Sequence, residues 1–277
     1  MGRVPFTKLE GLGNDFIVLD GGSRLLTPMA AAHLCDRRRG IGADGVLTLL
    51  PARHPEATRR FHVYNADGSV AEMCGNGLRC VARFVGGGQV VFDTDAGLRR
   101  TRLMDDGRIE ADLAEATLLG ERISVKLGER SWAGTGISMG NPHLVLDPFE
   151  EGADLLAMAQ VYGPLLERHA HFPNRCNVGF LAPAADGVFR LVVFERGSGI
   201  TLACGTGAGA AAVALVRAGR AQSPITLELP GGRLEVMVEG DPTAQVPVGV
   251  GLGQVRQRGP AVTVFAGVVE LGDDQWL

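Results

Sequence analysis

The chain has 277 residues, of which 45% are hydrophobic and 21% are charged, and its formal net charge is −4. These values are typical of a folded globular protein, and the length is enough for two domains. The acidic balance argues against a nucleic-acid partner, and no apolar run is long enough to cross a membrane. No apolar stretch stands near the N-terminus, so a secretory signal is not expected.

The cysteines indicate a reducing compartment. Their odd number excludes complete pairing, and none stands in a Cys-x-x-Cys zinc motif. A cytoplasmic location is therefore expected. The five cysteines occupy positions 35, 74, 80, 176 and 204.

In the first half, apolar runs bounded by turn residues predict strands, and breaker-free runs after a capping residue predict helices. Thr27 is a suitable N-cap, Pro28 suits a first helical turn, and Gly40 ends that helix. The expected helices cover residues 27–39 and 78–85, and the expected strands cover 16–20, 46–50, 61–64, 90–94, 99–104, 108–113 and 123–127.

The second half repeats this alternation of strands with helices rich in small residues. Its expected helices cover residues 153–170 and 208–218, and its expected strands cover 144–146, 177–181, 190–194, 225–229, 234–238 and 262–265. Many strands and two helices per half predict an α/β chain of the α+β type. Each half is expected to wrap a β-sheet around a central α-helix, in a strand order that the patterns do not define.

One short motif occurs twice. Met-Cys-Gly-Asn-Gly at 73–77 returns as Ala-Cys-Gly-Thr-Gly at 203–207, which is 130 positions later (204 − 74). A polar residue, Asn65 or Glu195, stands nine positions before each cysteine.

A second echo lies upstream of the first. Residues 13–20 (Gly-Asn-Asp-Phe-Ile-Val-Leu-Asp) resemble residues 140–147 (Gly-Asn-Pro-His-Leu-Val-Leu-Asp), 127 positions later (140 − 13). The period is too long for a stacking repeat, so an internal duplication of a domain-sized half is predicted.

The paired motifs suggest a chemistry for Cys74 and Cys204. Each cysteine is expected at a helix N-terminus, where free N–H groups and the positive end of the dipole bind anions and lower the pKa of a thiol. The glycines permit close approach of a ligand to the backbone. Two such thiols on opposite faces of a carbon can invert it, because one removes a proton and the other returns one.

Other interpretations of these residues remain open. A lone intracellular cysteine is usually a small buried hydrophobe, and Asn65 and Glu195 are also suitable turn residues. Asn14 and Asn141 follow glycine and suit turn geometry, and His143 is a candidate core histidine.

Two further function classes also remain open. Residues 207–212 fit the loose Gly-x-Gly-x-x-Ala fingerprint of a dinucleotide-binding protein, with Glu228 as the acidic partner. A thiol redox protein that pairs Cys74 with Cys204 is the other alternative. The scattered histidines, including His169 and His171, form no metal motif, and no lysine stands in a recognisable pyridoxal phosphate setting, so no cofactor and no metal are expected.

Seven segments taken together resemble the diaminopimelate epimerase family, over nearly the whole chain. They are Gly-Leu-Gly-Asn-Asp-Phe (11–16), Tyr-Asn-Ala-Asp-Gly-Ser (64–69), Glu-Met-Cys-Gly-Asn-Gly-Leu-Arg-Cys (72–80), Thr-Asp-Ala-Gly-Leu (94–98), Ser-Met-Gly-Asn-Pro-His (138–143), Glu-Arg-Gly (195–197) and Leu-Ala-Cys-Gly-Thr-Gly (202–207).

The resemblance implies a cofactor-independent isomerase that interconverts LL- and meso-diaminopimelate, in lysine and peptidoglycan precursor synthesis. It implies two pseudo-symmetric halves with the active site in the cleft between them, and a homodimer. The implied domains are 1–119, joined by a returning C-terminal strand at 264–277, and 120–263.

The resemblance also implies roles for individual residues. Cys74 and Cys204 are the implied acid and base, and His143 and Glu195 the implied residues that set the ionisation of the thiols. The implied substrate-binding residues are Asn14, Asn65, Gly75, Asn76, Asn141, Asn177, Glu195, Arg196, Gly205 and Thr206, with Arg196 on the far carboxylate.

The chain departs from the family pattern at three positions. Glu10 replaces a frequent His, and Cys176 and Gly179 stand near Asn177 where Thr and Glu are usual. The last two bear on which amino acid fits. Proline, hydroxyproline and histidine racemases share the two-cysteine chemistry and are the alternative within this class, although the Asn14, Asn65, Asn177 and Arg196 set favours a substrate with a second zwitterionic end.

Overall fold

The structure is a computed structural model that describes residues 2–277. These residues form four α-helices, seventeen strands and two short 3-10 turns. The helices are α1 (Pro28–Cys35), α2 (Gly75–Val85), α3 (Leu155–Leu166) and α4 (Gly205–Arg217). The strands are β1 (Gly2–Gly11), β2 (Asn14–Asp20), β3 (Gly45–Leu50), β4 (Arg59–Asn65), β5 (Val70–Ala71), β6 (Gln89–Thr94), β7 (Gly97–Leu103), β8 (Ile109–Leu127), β9 (Arg130–Ser138), β10 (Pro142–Leu146), β11 (Asn177–Pro183), β12 (Phe189–Glu195), β13 (Gly199–Ile200), β14 (Ile225–Leu229), β15 (Gly232–Val238), β16 (Gly251–Gly259) and β17 (Val262–Leu271).

The chain divides into two compact units. The first comprises the described residues up to Ala111 together with Gly259–Leu277, and the second is Asp112–Arg258. The C-terminal segment belongs to the first unit because β17 pairs antiparallel with β1. The domain limits implied by the resemblance remain a prediction.

The two units have the same connectivity. In the first, β1–β2 is antiparallel, β2–β3 parallel, β3–β4 antiparallel, β4–β6 parallel and β6–β7 antiparallel. In the second, β9–β10, β10–β11, β11–β12, β12–β14 and β14–β15 follow the same sequence of directions. The predicted mixed α/β fold of two similar halves is therefore confirmed.

The register is repeated as well as the order. Tyr64 lies opposite Val70 across β4 and β5, and Phe194 lies opposite Ile200 across β12 and β13. Both members of the second pair are 130 positions beyond their counterparts (194 − 64 and 200 − 70). The offset is that of the two cysteines, so the two motifs occupy equivalent places in the two units.

One helix lies at the centre of each unit. In the first unit, α2 packs against β1, β2, β7 and β17, and its Leu78 and Val81 are buried in a core with Phe61 and Phe92. In the second unit, α4 packs against six strands, and its residues from Gly207 to Leu215 are all buried. Small side chains allow this approach of strands on every side.

Several predicted boundaries are wrong. Helix α1 ends at Cys35 because the Asp36 carboxylate accepts hydrogen bonds from the N–H groups of Arg38 and Arg39, which stops the helix before the expected end. Helix α3 is likewise shorter than predicted. The segments 108–113 and 123–127 belong to one long strand, β8, whose irregular pairing with β9 near Gly120 hides the alternation.

Five strands were not predicted at all, namely β1, β5, β9, β13 and β16. Strands β1, β9 and β16 contain charged or glycine residues that interrupt the apolar pattern, and β5 and β13 are only two residues long. None of the helices formed by residues 2–277 is long and apolar enough to cross a membrane.

Candidate active site

Both motif cysteines are N-caps. Cys74 has extended backbone angles (φ −137°, ψ 119°), and its sulfur accepts the N–H of Gly77 at 3.4 Å. Cys204 has similar angles (φ −117°, ψ 106°), and its sulfur accepts the N–H of Gly207 at 3.4 Å. A sulfur in this position lies beside the helix end that carries unpaired N–H groups and the positive end of the dipole. The prediction that each thiol stands at a helix N-terminus is confirmed.

Neighbouring side chains and the cap cysteine leave little room for a β-carbon at the third position of each helix. A β-carbon on Gly207 would lie 2.8 Å from Val193 Cγ2 and 3.2 Å from Cys204 Sγ. A β-carbon on Gly77 would lie 3.1 Å from Leu47 Cδ2. The second motif is therefore the tighter of the two.

The surroundings of Cys204 reverse one expectation. Burial, followed by the Glu195 carboxylate, raises the pKa of the Cys204 thiol well above its ordinary value. Hydrogen bonds from Thr206, whose Oγ1 lies 3.6 Å from the sulfur, and from Gly207 act in the opposite direction but are weaker. The helix end alone predicts a lowered pKa, but the cost of burying a thiolate beside a carboxylate outweighs it.

Glu195 is held against Cys204. Burial raises the pKa of the Glu195 carboxyl, while hydrogen bonds with Thr201 and Cys204 act against this rise. The thiol is thus a donor to the carboxylate. The equivalent residue in the first unit, Asn65, instead donates to Ser69 Oγ at 2.9 Å, in a turn closed by backbone bonds. Both residues end equivalent strands, so the turn interpretation and the site interpretation of Asn65 are compatible.

Asn14 and Asn76 lie together in the first unit. Asn76 Nδ2 donates to Asn14 Oδ1 at 3.2 Å, and Asn14 Nδ2 donates to Asp44 Oδ2 at 2.9 Å. Two predicted site residues, 62 positions apart, are therefore in direct contact.

Three predicted residues lie together in the second unit. His143 Nε2 is 3.0 Å from Asn141 Oδ1 and 3.5 Å from Asn177 Nδ2. Burial, with a smaller contribution from the Arg196 cation, lowers the pKa of His143 to about 3. His143 is therefore neutral over the physiological range, and any influence it has on a thiol comes from dipoles and hydrogen bonds rather than from charge.

Arg196 is fixed mainly through its backbone. Its N–H donates to Asn177 Oδ1 at 2.9 Å, and its Nη1 donates to the Asn174 carbonyl at 3.3 Å. The next residue, Gly197, donates its N–H to the buried Glu167 carboxylate at 3.0 Å. The loop that carries Glu195 and Arg196 is thus held to the unit by Asn177 and Glu167.

The chain is similar to known proteins over nearly its whole length. A family model described as diaminopimelate epimerase matches residues 6–119 and 135–257. A diaminopimelate epimerase of Synechococcus sp. (strain JA-3-3Ab) is 43% identical, over 96% of this chain and 98% of that protein. Another of the same name, from Alkalilimnicola ehrlichii, is 39% identical over 97% of this chain and 99% of that protein.

The chain belongs to the diaminopimelate epimerase family. This membership favours the isomerase interpretation over the nucleotide-binding and thiol-redox alternatives.

Solved structures of low identity share the fold. A hydroxyproline epimerase from Agrobacterium vitis matches with a TM-score of 0.72 at 16% identity, over 96% of this chain and 91% of that one. A probable proline racemase from Agrobacterium radiobacter K84 matches with a TM-score of 0.74 at 18% identity, over 97% and 93%. At these identities the likeness concerns the fold alone.

Two departures from the family pattern have different surroundings. Cys176 is buried in the core of the second unit, with its sulfur 3.8 Å from the Leu166 carbonyl, and burial raises its pKa to about 12. A β-carbon on Gly179 would meet Leu191 Cδ1 at 3.6 Å, an ordinary contact. Cys176 is thus an internal packing residue of this family member, although it stands next to Asn177.

Sequence reasoning missed two residues of the first unit, Arg79 and Asp44. Arg79 is fully buried in α2, and its Nη2 donates to Asn76 Oδ1 at 2.8 Å. The Asp44 carboxylate accepts a hydrogen bond from the side-chain amide of Asn14. The signal for Arg79 was present, because a charged residue flanked by Leu78, Cys80 and Val81 in a central helix needs an internal partner.

Among residues 2–277, no group of three or more His, Cys, Asp or Glu side chains is arranged as a metal site would require.

Proposed function

We propose that this family member interconverts LL- and meso-diaminopimelate by a two-base mechanism, with Cys74 and Cys204 as acid and base. The observation that carries the proposal is the pair of cysteine N-caps in equivalent positions of a duplicated fold. A thiolate takes the α-proton, the bonding electrons stay on the α-carbon, and the other thiol gives a proton to the opposite face.

We assign the resting proton to Cys204. Burial and the Glu195 carboxylate raise the pKa of its thiol, and the thiol donates a hydrogen bond to Glu195, so the proposal makes Cys204 the acid of the free enzyme. In this assignment Glu195 sets the ionisation of Cys204, and His143 orients Asn141 and Asn177 as a neutral ring.

The first turns of α2 and α4 supply a site for the reacting carboxylate. The leading N–H groups of a helix have no acceptor within the helix, so Gly75, Asn76, Gly205 and Thr206 are suitable donors to an anion. Donors of this kind also stabilise the negative charge that develops on the carboxylate as the α-proton leaves.

The remaining polar residues are assigned to the far end of the substrate. In the proposal, the Arg196 guanidinium takes the second carboxylate through two parallel hydrogen bonds, and Glu195 with Asn14, Asn65, Asn141 and Asn177 completes the zwitterion contacts. A site that binds both zwitterionic ends of diaminopimelate rejects amino acids that have only one such end, because the buried polar groups for the second end are then left unpaired.

The proposal includes no cofactor, a cytoplasmic location and a homodimer. All five cysteines, which lie within the described residues, carry free thiols, as a reducing compartment allows. The exposed apolar residues of β17 support the homodimer, and sedimentation measures the oligomeric state directly.

Isotope exchange tests the reaction and the substrate together. The protein is dialysed against a chelator, incubated in deuterated water with single amino acids, and followed by mass spectrometry for α-deuterium. LL-Diaminopimelate is expected to exchange fast, and lysine, alanine, proline and histidine are expected not to exchange. Exchange of proline or histidine without diaminopimelate overturns the substrate in favour of the racemase alternative.

Cysteine variants test the mechanism through the conversion of the LL- to the meso-isomer. Cys74→Ala and Cys204→Ala are each expected to abolish epimerisation, because inversion needs an acid and a base on opposite faces. Cys176→Ala, which removes a thiol from the core of the second unit, is the matched control and is expected to retain activity. Near-normal epimerisation by Cys74→Ala or by Cys204→Ala would contradict the two-base assignment.

A further inference from the structure

The amide groups of Asn14 and Asn76 lie between two charged residues of opposite sign. Asp44 accepts from Asn14 at one end of the chain of hydrogen bonds, at 2.9 Å. Arg79 donates to Asn76 at the other end, at 2.8 Å. The bond between the two amides, at 3.2 Å, joins the ends.

The charged ends determine which way each amide points. A carboxylate only accepts hydrogen bonds and a guanidinium only donates them. Asn14 must therefore turn its NH2 towards Asp44 and its oxygen towards Asn76. Asn76 must turn its NH2 towards Asn14 and its oxygen towards Arg79.

Both ends are anchored within the first unit. Arg79 is fully buried, and its Nε donates to the Pro260 carbonyl at 3.1 Å. Burial lowers the pKa of Arg79 to about 10, so the group remains a cation and a pure donor at neutral pH. At the other end, Arg37 Nη2 donates to Asp44 Oδ1 at 2.8 Å, and the Asp15 N–H donates to Asp44 Oδ2 at 3.1 Å.

The second unit lacks the buried cation. The position equivalent to Arg79 is Gly209 (79 + 130), and a β-carbon there would meet apolar groups of Met139, Leu113 and Val255 at 3.0–3.4 Å. The arrangement thus belongs to the first half alone and was not required by the duplication.

We propose that Asp44 and Arg79 are positioning residues that fix the polarity of the Asn14–Asn76 amide pair, so that Asn14 presents an N–H donor to a substrate carboxylate. The inference rests on the proposed function, in which Asn14 and Asn76 bind substrate. With its oxygen engaged by Asn76 and one N–H by Asp44, Asn14 keeps a second N–H. That group suits a carboxylate oxygen and repels an ammonium.

Asp44→Asn is the variant that tests this, because the Asp44 side chain is 43% exposed and the change preserves its shape. The new amide receives a donor from Arg37 on one side and donors from Asn14 and Asp15 on the other. If the oxygen of the new amide at position 44 turns to Arg37, the NH2 group of that amide faces the NH2 group of Asn14. Asn14 must then either leave this donor unpaired or rotate, and rotation of Asn14 would disturb the hydrogen bond from Asn76 and, through it, the bond from Arg79. We expect kcat/KM for diaminopimelate to fall about 10- to 100-fold, with KM raised, since a donor is left unpaired.

A second substitution separates polarity from mere loss of charge. In Asp44→Asn combined with Arg37→Met, the competing donor is gone, so the new oxygen can turn to Asn14 as the carboxylate did. We expect kcat/KM to recover at least about fivefold relative to Asp44→Asn alone. Asp93→Asn, which weakens the ion pair with Arg53 elsewhere in the same unit, is the stability control and is expected to keep wild-type kinetics.

A readout independent of turnover completes the test. The side-chain amide signals of Asn14 and Asn76 in ¹⁵N-labelled protein, assigned by removing each residue in turn, should move in Asp44→Asn and return in the double variant. Unchanged signals and kinetics in Asp44→Asn overturn the inference, as does a double variant no better than the single one. Absence of exchange in the wild type overturns the proposed function instead, while the amide signals still decide the inference.

Discussion

His143 illustrates how burial sets the charge of a site residue. Its pKa is lowered from 6.5 to about 3, mainly because the ring is fully buried. In the unfolded chain the ring takes up a proton below pH 6.5, whereas the folded protein excludes it until about pH 3. The contribution to stability is therefore complete above pH 6.5 and is lost as the pH falls towards 3.

The direction of this effect of His143 on stability can be measured through the pH dependence of the free energy of unfolding. Between pH 6.5 and 5 the single group should cost the wild type about 2 kcal/mol of unfolding free energy, at 1.36 kcal/mol per pKa unit. His143→Gln should lack this part of the loss, whatever its stability at pH 7. Urea titrations at pH 7 and 5 give the double difference, and an equal loss in both proteins would falsify the burial argument.

Individual residues were predictable from the sequence where their role is local. Cys74 and Cys204 cap helices by their position before Gly-x-Gly, and an N-cap depends on three neighbouring residues. Asp44 was not predictable as a partner of Asn14, because 30 positions separate them and only the parallel pairing of β2 with β3 brings them together.

At the level of elements, the first turns of α2 and α4 differ in how much room they leave. Gly207→Ala places a methyl 2.8 Å from Val193 Cγ2, on a β-branched side chain with little freedom. In Gly77→Ala the new methyl lies 3.1 Å from a Leu47 methyl, and the Leu47 side chain can rotate away. We expect Gly207→Ala to lose roughly 1–3 kcal/mol of stability and Gly77→Ala clearly less.

Urea unfolding of the two variants checks this order. Gly88→Ala, where a β-carbon meets nothing within 4 Å, is the control and should lie within about 0.5 kcal/mol of the wild type. Val193→Ala should compensate part of the loss in Gly207→Ala, because it removes the clashing methyl. Equal losses at Gly77 and Gly207 would show that the packing around the second cap is not the tighter one.

Elements were predictable where the hydrophobic period is clean. Strands β2, β3 and β14 and helices α2 and α4 begin and end within a few residues of the expected positions. Strand β1 was missed because Lys8, a buried cation paired with Asp15 at 2.8 Å, interrupts its apolar pattern. A buried ion pair conceals a strand in sequence, since its partner is supplied by tertiary structure.

For the whole molecule, the duplication was visible in the sequence and the strand order was not. The two cysteine motifs remain recognisable at a constant offset because each helix N-cap requires particular residue types. Pairing of β17 with β1, at opposite ends of the chain, leaves no local signal. Only the family resemblance indicated that the C-terminal strand returns.

Strand β17 presents a run of exposed apolar residues through which the protein can assemble. β17 pairs antiparallel with β1, and none of its residues 262–268 is buried. Its residues 262–268 carry no charge, and Val264 and Val268 are 54% and 51% exposed. An uncharged apolar strand that is exposed to solvent favours pairing with another strand.

A second copy of the chain is the partner that fits best, since a two-fold axis through the strand would pair β17 antiparallel with itself and cover both valines twice. Sedimentation of the wild type should then give a dimer. Val264→Lys combined with Val268→Lys should give a folded monomer, because charges on a paired strand oppose association. Val161→Lys, at a valine of α3 that is 60% exposed, is the matched control and should remain dimeric. A monomeric wild type, or a dimer that persists with both lysines on β17, would show that this strand is not where two copies meet.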